Sequence, residues 1–267
     1  MGNSVEAGLI DKFDATRIDK NGPRTVDESV AKTGILTIYL NGSEIVSLVC
    51  SPTRLDALAA GFLVSEGLLE SSEELESITI VEGKTFVADV AASASRGADS
   101  PMGRMLITSG CGGGATFANL LDDVSEFLPL PDARFRGDEI LSGMRELGRK
   151  APLFKETGGV HTAALFDGDQ LTYIAEDVGR HNALDKVLGA AFLDGTEVAG
   201  SGLLTSGRLS ADAVMKALVS RISLLVSRTA PTSMAVELAR RAGLTLVGFV
   251  RGDRMNVYSG EERIDAG

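Results

Sequence analysis

From about residue 160 to residue 250 the chain alternates strand-like and helix-like runs, and this alternation limits the fold more than any other feature. A hairpin is predicted first, at 160–166 and 171–175 around Asp167-Gly168-Asp169-Gln170. Helices at about 181–192, 211–219 and 233–242 then alternate with strands at 202–206, 222–227 and 244–250. Such a series predicts an α/β sheet covered by helices, with right-handed crossovers wherever the strands are parallel. Ligands of open sheets lie beyond the carboxyl ends of the strands, so the residues after each strand are the ones to inspect.

Those segments are Glu176-Asp177-Val178-Gly179-Arg180-His181-Asn182, Ser206-Gly207-Arg208-Leu209-Ser210, Ser227-Arg228-Thr229-Ala230-Pro231-Thr232 and Arg251-Gly252-Asp253-Arg254. Each carries an arginine, and three carry hydroxyl or amide side chains beside a helix start, where free N–H groups and the helix dipole favour anions. One such segment alone is ordinary capping with a solvated arginine. Four in register suit a ligand with several phosphates, which guanidinium groups hold bidentately. His181 can act as acid, base or phosphate donor, or it can be a structural residue closing a helix start. Asp185 lies one helical turn further on, where it could orient the ring, and Asp177 precedes the helix as a candidate cap. His161, inside a strand after Thr157-Gly158-Gly159-Val160, is open to the same two readings. Lys186 and Lys216 follow helix starts and are expected to be solvated unless they face this edge.

Towards the N-terminus, residues 1–30 are polar and without sustained periodicity, and are expected to form a poorly ordered arm. Strands at 34–40 and 44–50 flank Asn41-Gly42-Ser43, a hairpin signal because Asn and Gly tolerate positive φ. A core-facing helix is expected over 53–69, capped by Thr53 or Ser51. A second hairpin is expected over 78–90, turning at Glu82-Gly83-Lys84, followed by an Ala/Ser/Gly-rich loop over 91–103. The prolines of 129–136 suggest a linker before a helix at 138–150, giving three parts: an arm (1–30), an N-terminal subdomain (31–135) and an α/β domain (136–267).

After a strand at 105–107, Cys111 lies in Thr108-Ser109-Gly110-Cys111-Gly112-Gly113-Gly114-Ala115. Glycines let another molecule approach closely, and their N–H groups can stabilise a thiolate, so Cys111 is a candidate reactive sulfur. A small buried hydrophobe beside a turn is the alternative. The run lacks the Gly-Lys-Ser/Thr ending of a phosphate-binding P-loop. Cys50, at a strand end, reads as structural. With only two cysteines and two histidines, no structural zinc set is expected, and no metal site is assigned. The chain has 37 acidic and 26 basic residues, a net charge of −11, which argues against nucleic acid as a partner. No apolar run of membrane-spanning or signal-peptide length is seen, so a cytoplasmic location with reduced thiols and no membrane partner is expected.

Five blocks resemble the FdhD family of formate dehydrogenase accessory sulfurtransferases. They are Thr157-Gly158-Gly159-Val160-His161, the eleven residues from Glu176 to Lys186, Ser206-Gly207-Arg208, Ser227-Arg228-Thr229-Ala230-Pro231-Thr232 and Gly248-Phe249-Val250-Arg251. Gly61-Phe62-Leu63-Val64-Ser65-Glu66-Gly67 is similar as well, and the likeness spans about 34–260. The resemblance implies delivery of sulfur to a molybdenum or tungsten bis(pterin guanine dinucleotide) cofactor before its insertion into formate dehydrogenase. A cysteine desulfurase is the implied sulfur donor, a homodimer the implied assembly and a cytidine-deaminase-like fold the implied C-terminal domain. Cys111 matches the first cysteine of the family's Cys-x-x-Cys loop. The stretch Gly248, Phe249, Val250, Arg251, Gly252, Asp253 and Arg254 matches one implicated in cofactor binding, where a guanine nucleotide is also expected. Arg180, His181, Arg208, Ser227 and Arg228 complete the expected site.

Gly114 stands where many family members have the second cysteine, so a disulfide or relay within this loop is excluded. Transfer through a single thiol remains, because a persulfide needs one attacking thiolate. A cofactor-binding chaperone that transfers no sulfur is the alternative. A hydrolytic deaminase is suggested only by the implied fold, and the chain lacks the Pro-Cys-x-x-Cys zinc signature of such enzymes.

Overall fold

The structure, a computed structural model, describes residues 8–93 and 127–266. Cys111, the expected strand at 105–107 and most of the expected 91–103 loop lie outside the described residues.

The helix–strand alternation produces a six-stranded sheet of order β13-β12-β11-β10-β8-β9. Its strands are β8 (His161–Phe166), β9 (Leu171–Asp177), β10 (Gly202–Thr205), β11 (Leu224–Ser227), β12 (Thr245–Arg251) and β13 (Arg254–Ser259). β10, β11 and β12 are parallel, while β8, β9 and β13 join by antiparallel pairing, so the sheet is mixed. The central strands are buried on both faces, which is why they read as unbroken apolar runs. On one face Leu203, Leu225 and Leu246 pack with α4 (Arg180–Leu193), α5 (Ala211–Val219) and α6 (Ser233–Ala242). On the other, Leu204, Val226 and Val247 pack with Ile140, Met144 and Leu147 of α2 (Gly137–Arg149). The short α3 (Pro152–Thr157) follows, started by a proline whose missing N–H costs nothing in the first turn.

The smaller sheet has order β4-β3-β6-β5, from β3 (Gly34–Leu40), β4 (Ser43–Cys50), β5 (Leu75–Glu82) and β6 (Phe86–Ala92). Asn41 and Gly42 take φ of 50° and 79° to close its first hairpin in two residues, as their side chains allow. α1 (Leu55–Ser65) covers one face. Its N-cap is neither Thr53 nor Ser51 but Arg54, in the left-handed region at φ 49° with no side-chain cap, because Ser51 is engaged elsewhere.

α1 and α4 meet backbone to backbone. A Cβ on Gly61 would run into the carbonyl oxygen of Asp185, and one on Gly189 into that of Ala57. Helix α4 is thereby enclosed between the large sheet and α1, which explains its buried run from Asn182 to Ala191.

The described part of the expected poorly ordered arm instead makes an antiparallel ribbon of β1 (Ile10–Asp19) and β2 (Gly22–Ala31). Its side chains are mostly exposed on both faces, so no apolar alternation marks it in the sequence. The expected linker is tied down: Arg221 donates to the Pro129 carbonyl and Ser223 to that of Pro131. β7 (Phe135–Arg136) then pairs with β14 (Ile264–Asp265).

Candidate functional site

Because β10, β11 and β12 are parallel, their carboxyl ends stop on one edge of the sheet. Antiparallel β8 brings its first residue, His161, to that edge, and β9 brings its last, Asp177, which pairs with His161. The four arginine-bearing segments therefore do converge, and hydrogen bonds lock them together. The Gly207 carbonyl accepts the hydroxyls of Ser227 (2.6 Å) and Thr229 (2.8 Å). The Phe249 N–H donates to the Thr229 carbonyl (3.0 Å), and Arg251 Nε donates to the Arg228 carbonyl (3.1 Å). A Cβ on Gly207 would approach Arg180 Cβ to 2.7 Å, and one on Gly248 would meet Pro231 and Thr229 at 3.1 Å. Glycine at these two positions is what lets the segments close up.

Arg208, Arg228, Arg251 and Arg254 are exposed, and Arg180 is half-buried with its Nε out of contact with water and without a hydrogen-bond partner. Among the described residues none of the five forms an ion pair with a carboxylate. Half-buried positive charge without a counter-ion is the setting in which an anion binds most strongly. Phe249 is held at φ 53° where β12 bulges against β13, and the Arg251 guanidinium lies 5.8 Å from its ring centre. A bulky residue at positive φ is costly and clusters at ligand-binding positions. Within the expected cofactor stretch, Gly252 makes the turn at φ 58° and Asp253 pairs with Arg145 at 3.3 Å. Gly248 and Val250 are buried in the sheet and serve its packing.

Beside the arginines lies a cleft of about 460 Å³. Met144 and Leu147 of α2, Phe154 of α3 and Val160 give it apolar walls; His161, Ser206, Arg228 and Thr229 also line it. Glu176 helps build this wall by accepting the Leu153 and Phe154 N–H groups at 2.9 and 2.8 Å, pinning the start of α3. Burial pushes the Glu176 carboxyl up from its ordinary value against those two hydrogen bonds. Neither the α2–α3 wall nor this capping was visible in the sequence reading, although Ile140, Met144 and Leu147 at i, i+4, i+7 mark the inward face of α2.

His181 is buried enough to depress its pKa to about 4, with Arg180 and Lys216 adding to the effect, so the ring is neutral at pH 7. Its Nε2 lies 2.9 Å from Ser210 Oγ and 4.0 Å from Asp212. Asp185 does not touch the ring. It is buried with Lys216 (3.0 Å) and accepts a hydrogen bond from Ser65 (2.7 Å), while Lys216 also pairs with Glu66 (2.7 Å). Burial works against the Lys216 charge, but the two carboxylates outweigh it and raise its pKa. Lys186 is likewise not solvated: with no exposure it pairs with fully buried Asp177 at 2.6 Å and donates to the Ser51 carbonyl. Asp177 also accepts the N–H groups of Ser51 and Gly179 and the Asn182 amide. Half of the 176–186 block is therefore scaffolding that ties α4 to the smaller sheet, leaving Arg180 and His181 at the edge. Cys50 is fully buried, and burial together with the Asp177 charge pushes its thiol up to about 11, in keeping with a structural role.

The chain matches the model of the FdhD/NarQ family over residues 33–265. A sulfur carrier protein FdhD from Listeria innocua is 34% identical over 96% of this chain and 99% of its own length. The protein of the same name from Wolinella succinogenes is 39% identical over 90% and 83%. A crystal structure from Desulfotalea psychrophila, described as a candidate formate dehydrogenase accessory protein, superposes with a TM-score of 0.78 at 33% identity. It covers 96% of this chain and all of its own. By family model, by sequence over nearly its whole length and by fold, this chain belongs to the FdhD/NarQ family.

Proposed function

We propose that this protein is a sulfur carrier in the maturation of formate dehydrogenase. It takes sulfur on Cys111 and passes it to a molybdenum or tungsten bis(pterin guanine dinucleotide) cofactor, held as cargo along the strand-end edge. The observation that carries the binding half is the convergence on one locked sheet edge of five arginines that have no carboxylate partner among the described residues. Phosphates of a dinucleotide cofactor would supply the missing counter-charge and be held in position by it. In the sulfur half, the Cys111 thiolate attacks the outer sulfur of a desulfurase persulfide. The new S–S bond forms on Cys111 as the desulfurase cysteine leaves as a thiolate, with no net oxidation. In this reading the protein acts as a cytoplasmic homodimer, and residues 136–267 share the cytidine-deaminase-like layout, a likeness of fold alone.

Gly114 favours one other reading, a chaperone that binds the cofactor and transfers no sulfur. Complementation of a strain lacking the protein, read as formate dehydrogenase activity, separates the two. A sulfur carrier requires that Cys111→Ala and Arg228→Ala both fail, whereas a chaperone lets Cys111→Ala mature the enzyme and fails only with Arg228→Ala.

A further inference from the structure

The cleft differs in chemistry from the arginine rim beside it. Its walls are mostly hydrocarbon, with the His161 imidazole and the side chains of Ser206 and Thr229 among them and Arg228 lining it from the rim. Ser206 Oγ accepts the Thr162 N–H at 3.0 Å and lies 3.4 Å from His161 Nδ1. After accepting the peptide N–H, the serine keeps one hydrogen to donate and one lone pair to accept with, so it can pair with either neutral tautomer of His161 through Nδ1. When Ser206 donates to Nδ1, the imidazole proton sits on Nε2, which has no protein partner among the described residues. Burial, reinforced by the Arg180 charge, lowers the His161 pKa and keeps the ring neutral at pH 7. In a cleft also lined by Leu147, Phe154 and Val160, a neutral N–H suits a carbonyl oxygen or ring nitrogen. A phosphate against those walls would lose its hydration.

We propose that this cleft is the subsite for an uncharged, planar, acceptor-bearing part of the ligand, that His161 selects it by donating Nε2–H, and that Ser206 is the positioning residue that fixes the ring's tautomer. The assignment rests on the strand-end edge being a site for a phosphate-bearing ligand. It divides the site in two: phosphates on the arginines, a flat polar heterocycle in the cleft.

The test combines a spectroscopic and a binding measurement. With only two histidines in the chain, ¹⁵N spectra of the imidazoles are assigned by comparison with His181→Gln. His161 is expected as the Nε2–H tautomer in the wild type at pH 7 and as a mixture in Ser206→Ala. Guanosine diphosphate and inorganic pyrophosphate are titrated calorimetrically into wild type, His161→Ala and His161→Gln. The alanine variant is expected to bind the nucleotide about tenfold more weakly and pyrophosphate within about twofold of wild type. Glutamine keeps an N–H near the Nε2 position and is expected to restore nucleotide binding to within about threefold. An Nδ1–H tautomer, nucleotide binding by His161→Ala equal to wild type, or equal loss of both ligands overturns the role of His161 while leaving the edge intact. Failure of the wild type to bind either ligand removes the edge itself, and this proposal with it.

Discussion

Lys216 shows how little of a residue's surroundings a local sequence reveals. Its partners Ser65 and Glu66 lie about 150 positions away, and nothing in α5 distinguishes it from a solvated lysine. Removing one member of a buried charge cluster leaves the others uncompensated, so Lys216→Met is expected to cost about 3–5 kcal/mol, against no measurable loss for exposed Lys155→Met. Urea denaturation checks both. His181 gives a pH signature. Its folded pKa of about 4 lies below the ordinary 6.5, so the unfolded chain binds more protons between those values and stability falls as pH drops through that window. The expected loss is about 2 kcal/mol between pH 7 and pH 5, and His181→Gln should remove that part of the slope. An unchanged slope would mean that the ring takes up its proton in the fold at the same pH as in the unfolded chain. At this scale the strand-end positions of the arginines, His181 and Ser227 were legible, because they depend on local sequence, whereas His161 was open to a structural or a functional reading. The buried pairs of Asp177 and Asp185 were not, because they are tertiary.

Among elements, the α1–α4 contact decides whether the smaller sheet and the large one form one molecule. At Gly61 and Gly189 a methyl group would meet backbone rather than a movable side chain, so either alanine variant is expected to destabilise by about 3 kcal/mol or more. Gly148, with open space about its Cβ position, is the control: alanine there should stabilise α2 by about 0.5–1 kcal/mol. Thermal melts of the three variants suffice. A Gly61→Ala protein as stable as wild type would show that the helices do not touch as described. Helices and strands from β8 to β12 could be read because each is a short apolar run or a helical apolar pattern bounded by turn residues. The β1–β2 ribbon escaped because charged residues on both faces hide its period. β13 escaped because only one of its six residues is buried, the strand lying at the sheet's edge.

In the whole molecule, a net charge of −11 coexists with an edge where arginines gather, and a polyanion responds to that local field rather than to the sum. Parallel strand order creates the edge, the 176–186 block fastens it to the smaller sheet, and α2 and α3 add the apolar cleft. The alternation of elements and the arginine spacing made the edge legible in advance. The cleft was not, since it exists only where α3 is pinned by Glu176 across the chain. The proposed function depends on Cys111 carrying sulfur without a second loop cysteine. Intact-mass spectrometry after incubation with an active cysteine desulfurase and free cysteine tests this on wild type, Cys111→Ser and Cys50→Ser. A reducible gain of one sulfur, about 32 Da, in wild type and Cys50→Ser but not in Cys111→Ser is the predicted result. No gain in the wild type, or a gain that survives Cys111→Ser, would contradict it.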